Sequence, residues 1–102
     1  MKEGQAADYK IEHTIEAKAQ IQAAAAIATQ VGKLAEFVAI LKKAVLRMQT
    51  DPNGWGDPEY RSTIVDRVCC HGIIRPVVFR YVVYEQVQSV VLLGVQVYAD
   101  FS

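Results

Sequence analysis

The side chains best suited to chemistry cluster in the second half of the chain. Arg61, Arg67, Arg75 and Arg80 are interleaved there with Tyr60, Tyr81, Tyr84 and Tyr98. A guanidinium grips a phosphate through two parallel hydrogen bonds, and an aromatic face stacks on an unpaired base. Together they suit contact with a nucleic-acid strand, although arginine and tyrosine on an exposed sheet face also serve solubility and packing alone. Arg75 stands apart because it follows Gly72 at what reads as a junction between two strands.

The run Cys69-Cys70-His71 suggests a metal, but adjacent residues of a strand point to opposite faces. Structural zinc needs four ligands, and no second cysteine cluster exists to complete the set. The two cysteines therefore read as structural or incidental. His13 reads as a partly buried strand residue. No Ser-His-Asp grouping, glycine-rich phosphate loop or HExxH motif is present, so neither metal nor cofactor is expected.

The elements that position these groups follow from composition and pattern. A chain of 102 residues, 52% apolar and 22% charged, is expected to form one domain with a core of its own. Eleven basic residues balance eleven acidic ones. Residues 1–50 carry seven basic and five acidic groups, and residues 51–102 four and six, so no strongly basic surface is announced. The opening MKEGQAADYK lacks the apolar run of a secretory signal. Charged and amide residues interrupt the apolar region 73–99, so no membrane span is expected and the chain is read as cytoplasmic.

The segment Asp51–Tyr60, DPNGWGDPEY, divides two halves of different character. Proline lacks a donor and pushes its predecessor out of the helical region, so neither Asp51-Pro52 nor Asp57-Pro58 continues a helix. Before this seam, residues 1–8 read as a loose terminus, and Tyr9–Thr14 alternates like a short strand. Glu16–Gln30 is helical by propensity, and its alanines would allow another element to approach closely. Gly32 is a plausible stop. A second helix spans Lys33–Gln49, with Leu34, Val38, Leu41, Val45 and Met48 as its inward stripe, widened by Phe37 and Ala44. After the seam, three strands are expected: Thr63–Cys70, broken by His71-Gly72; Pro76–Tyr84; and Ser89–Tyr98, with Gly94 marking a bulge or a close approach. The result is an α+β fold of order β-α-α-β-β-β, a helical hairpin packed on a mainly antiparallel sheet.

In this order and punctuation the chain resembles the RelE/ParE superfamily of toxins from bacterial type II toxin–antitoxin modules. The resemblance rests on the strand entering a helix (YKIEHTIEA), the helical hairpin, the DP-W-GDP seam, Gly72-Ile73-Ile74-Arg75, and the hairpin RYVVYEQVQSVVLLGVQVY. It covers residues 9–99.

The resemblance implies a small toxin held inactive by a cognate antitoxin. RelE-like members cut messenger RNA on the ribosome without a metal: the 2′-hydroxyl attacks the adjacent phosphate while basic side chains stabilise the charge. By position, Arg75 matches the phosphate-binding arginine, Arg80 is a second candidate, and Tyr98 falls where some members keep a late catalytic tyrosine. Arg61 and Tyr81 would contact substrate. ParE-like members instead bind DNA gyrase and are not nucleases. A non-enzymatic binder of the same fold is therefore the alternative, and formal neutrality favours it. A homodimer or an antitoxin complex is also expected, because the valine-rich hairpin would leave an apolar edge exposed.

Overall fold

The computed structural model describes residues 8–62 and 67–98, with 59–62 described by their backbone alone. Its elements are β1 (Lys10–His13), α1 (Ile15–Gln30), α2 (Leu34–Thr50), α3 (Pro52–Trp55), β2 (Asp57–Ser62), β3 (Arg67–Ile74), β4 (Val77–Tyr84) and β5 (Ser89–Val97). The α+β class holds, with three helices and five strands among the described residues.

The strands form one mixed sheet in the order β1-β5-β4-β3-β2. Three of its four pairings are antiparallel, and β1 runs parallel to β5 from Lys10↔Ser89 to His13↔Leu92. The valine-rich hairpin is therefore internal. β4 lies between β3 and β5, and β1 covers the first half of β5, so the exposed edge expected there is confined to Leu93–Val97.

Alternation along the strands builds the core. Val68 and Cys70 of β3, Val77, Phe79, Tyr81 and Val83 of β4, and Val90, Leu92 and Val95 of β5 are all buried on the face that meets the helices. A bulge keeps β5 in phase. Tyr81 pairs with Leu92 and Arg80 with Gly94, which leaves Leu93 as the extra residue. Gly94 also lies close to α1, where an added Cβ would stand 3.2 Å from Gln20 Oε1. It thus serves both of its expected purposes.

The hairpin of α1 and α2 covers this face. Thr14 starts α1, its Oγ1 accepting from Ala17 N–H at 3.0 Å. Ala17, Ala24 and Ala28 are buried, and their small side chains let α1 lie close to β5. Gly32, with φ of 73°, closes the helix as expected. In α2 the inward stripe is rotated from the expected one. Phe37, Ala44 and Met48 are buried, whereas Leu34, Val38 and Val45 are exposed. The reason is the approach of the sheet to one flank of a broad apolar face, which leaves the other flank in solvent. His13, expected to be partly buried, is exposed at the end of its strand.

Two further corrections concern the seam and the strand β3. Asp51 caps a short helix at the seam, accepting from Gly54 N–H at 3.2 Å, and Pro52 occupies the first turn, where its missing donor costs nothing. Pro58 then sits in β2, an edge strand that tolerates it. The seam therefore supplies an additional helix and strand. Second, His71-Gly72 does not end its strand, because β3 continues through both to Ile74. The expected start of that strand, residues 63–66, lies outside the described residues, as does most of the expected loose terminus.

Candidate functional site

The strand register sorts the expected site residues by face. Arg80 sits in the middle of β4, exposed, and pairs with His71 on β3 and Gly94 on β5. Two residues along β4, Val78 pairs with Ile73 and Gln96 on the same face. Arg75 is exposed in the β3–β4 turn that closes this end of the sheet. Tyr98 is 53% exposed just beyond β5, and its N–H donates to Pro76 O at 3.2 Å. The fold thus brings Arg75 and Tyr98 to one end of the sheet and sets Arg80 three positions inward along β4, on the face opposite that of Tyr81. Val78 and Ile73, the latter 47% exposed, place apolar surface among them.

Tyr81 is placed elsewhere. It follows Arg80 directly, so its side chain enters the opposite face, where it is fully buried. Its hydroxyl donates to Pro52 O and accepts from Gly56 N–H. Burial, then the neighbouring Cys70 thiol, pushes the phenol well above its ordinary value. The indole of Trp55 stacks on it at 5.7 Å with an interplanar angle of 8°, and meets Phe79 at 6.0 Å. Trp55 also explains Gly72, since a Cβ there would stand 2.6 Å from its Cη2 atom. Tyr81 and Gly72 therefore clamp the seam onto the sheet, and Tyr81 presents no surface to a substrate. Arg61 pairs through its backbone with Val68, and its side chain lies outside the described part.

A cleft of about 470 Å³ runs beside Arg80, between α1 and the uncovered half of β5. Gln20, Ala23, Ala24 and Ile27 form one wall, and Val78, Arg80 and Leu93–Val97 the other. Gln20 Oε1 accepts from Val95 N–H at 2.7 Å, so its amide takes the place a neighbouring strand would fill. Neither Gln20 nor this wall is signalled by composition, because the contact joins residues 75 positions apart.

Cys69 and Cys70 are buried on opposite faces and are not joined in a disulfide. Among the described residues, no three His, Cys, Asp or Glu side chains are grouped to hold a metal ion. No helix among them is long and apolar enough to cross a membrane. Comparison of the chain with known protein families, with curated proteins and with solved structures finds no match.

Proposed function

We propose that this protein is the toxin of a RelE/ParE-like toxin–antitoxin pair. It would act through Arg75, Arg80 and Tyr98, and a cognate antitoxin would hold it inactive in the cytoplasm. What supports this reading is that Arg75 and Tyr98 lie at one end of the sheet, on either side of Pro76 through the bond from Tyr98 N–H to Pro76 O, with exposed Arg80 further along β4. The element order, a strand, a helical hairpin, a short third helix and then consecutive strands, is that of an α+β fold, the class this reading requires.

As a ribonuclease the site would use Arg75 and Arg80 to neutralise a scissile phosphate while the RNA's own 2′-hydroxyl attacks it. The Tyr98 phenol would then transfer a proton to or from an RNA oxygen. The second reading is a non-enzymatic binder of a protein such as DNA gyrase. The exposed Ile73 and half-buried Val78 near the arginines, on a chain of zero net charge, favour it.

Pulse labelling of protein synthesis after induction in a bacterial host without antitoxin separates the two. A prompt collapse, abolished by Arg75→Ala in a variant of unchanged melting temperature, supports messenger-RNA cleavage. Growth arrest with synthesis initially intact supports the binder. Normal growth at high expression sinks the toxin reading, and full toxicity of Arg75→Ala removes that residue from the site.

A further inference from the structure

We propose that His71 is a further catalytic residue, the base that takes the proton of an RNA 2′-hydroxyl while Arg80 holds the phosphate beside it. The inference rests on the ribonuclease reading above.

The strand register carries it. Asp57 of β2 pairs with His71 of β3, His71 pairs with Arg80 of β4, and Arg80 pairs with Gly94 of β5. Residues directly opposite one another share a face, with Cβ atoms roughly 5 Å apart. A carboxylate, an imidazole and a guanidinium therefore stand in one row across the sheet, and Gly94 adds no side chain at its end. The row lies on the face opposite that of Tyr81. Alternation fixes this twice: Arg80 precedes Tyr81, and Gly56, whose added Cβ would meet the Tyr81 hydroxyl, precedes Asp57. Asp57 and Arg80 are exposed and His71 is half-buried, so the row is reached from solvent. Its flanks are apolar. Cys69 and Val82 pair on one side of it and are buried, and Ile73 and Val78 pair on the other. Polar groups bordered in this way interact more strongly than in open water.

Each member of the row has a chemical part. Arg80 donates to the non-bridging phosphate oxygens and neutralises the charge that builds on them. An imidazole exchanges protons near neutral pH, and a carboxylate beside it orients the ring and stabilises the imidazolium once formed. His71 accepts the 2′-hydroxyl proton as the bond from the 2′-oxygen to phosphorus forms. The bond from phosphorus to the 5′-oxygen breaks, and that oxygen takes a proton from the Tyr98 phenol or from water. The products are a 2′,3′-cyclic phosphate and a 5′-hydroxyl end. Tyr98 stands four residues beyond Gly94, whereas His71 is directly opposite Arg80, so the first proton falls to His71.

The test is cleavage of a messenger RNA on purified ribosomes, with the product ends mapped and the melting temperature of each variant measured. The native protein is expected to cut and to leave cyclic-phosphate ends. His71→Ala and His71→Asn are expected to cut at least about 100-fold more slowly while melting as the native protein does. Free imidazole is expected to restore part of the rate to His71→Ala, a rescue that a merely structural histidine would not give. If His71→Ala melts early, His71→Asn carries the rate comparison. Cleavage at the native rate by either folded variant, or a loss in His71→Ala that imidazole leaves untouched, would overturn the role of His71 and leave the ribonuclease reading in place. A native protein that cuts no messenger RNA would overturn both.

Discussion

Arg80 and Tyr81 are adjacent in β4, yet one faces solvent and the other closes the core. The alternation of a strand was enough to place them on opposite faces. What the sequence did not disclose is which face the helices take, because β4 is apolar on both. Tyr81→Phe removes a donor to Pro52 O and an acceptor for Gly56 N–H. We expect it to cost about 1–2 kcal/mol in chemical denaturation without altering the function of Arg80. It also carries a pH signature. The raised phenol pKa means that the folded state holds this proton more tightly than the unfolded chain. Its contribution is fully present below pH ~10 and falls as the pH rises past the unfolded value, by up to about 1.4 kcal/mol per unit. Alkaline unfolding should therefore be shallower in Tyr81→Phe than in the native protein, and identical profiles would contradict the assignment. Gly72→Ala sets a methyl group into the indole of Trp55 and is expected to cost about 1–3 kcal/mol by the same measurement.

At the scale of elements, α1 was legible from propensity and α2 because propensity and a strong period agree, and Gly32 ends α1 where its positive φ is needed. The orientation of α2 was not. Its apolar residues cover more than half the circumference, and only the sheet selects Phe37, Ala44 and Met48 for burial. The seam was recognised as a helix breaker, but Asp51 and Pro52 are also good helix starters, and the short α3 results. Exposure of half of β5 is a liability that α1 offsets through Gln20. Gln20→Leu would leave Val95 N–H without that acceptor while preserving helix propensity. We expect a loss of about 1–2 kcal/mol, faster amide exchange at Val95, and concentration-dependent aggregation on storage. Unchanged exchange at Val95 would show that the amide does not guard the edge.

For the whole molecule, the sheet is completed by the N-terminal strand being held parallel to the last one, a pairing that local sequence could not announce. It brings Lys10 beside Ser89. The side chain that secures it is Glu85, in the turn between β4 and β5. Its Oε1 accepts from Tyr9 O–H at 2.9 Å and from Asn53 Nδ2. One carboxylate thus joins the entry to β1, the seam and the central hairpin, and Lys10 N–H continues the tie to Gln88 O at 2.9 Å. Burial first, and then the bond to this carboxylate, raises the Tyr9 phenol above its ordinary value. Glu85→Ala should lower stability by about 1–2 kcal/mol, since charge-assisted bonds exceed neutral ones but these are partly exposed. Hydrogen exchange should quicken at Lys10–His13 while the β3–β4 amides keep their protection, because β1 is an edge strand held by four residues. An absorbance titration should show one phenol returning toward its ordinary pKa. A uniform loss of protection across all five strands would instead make Glu85 part of the global core, and the separate docking of β1 would have to be abandoned.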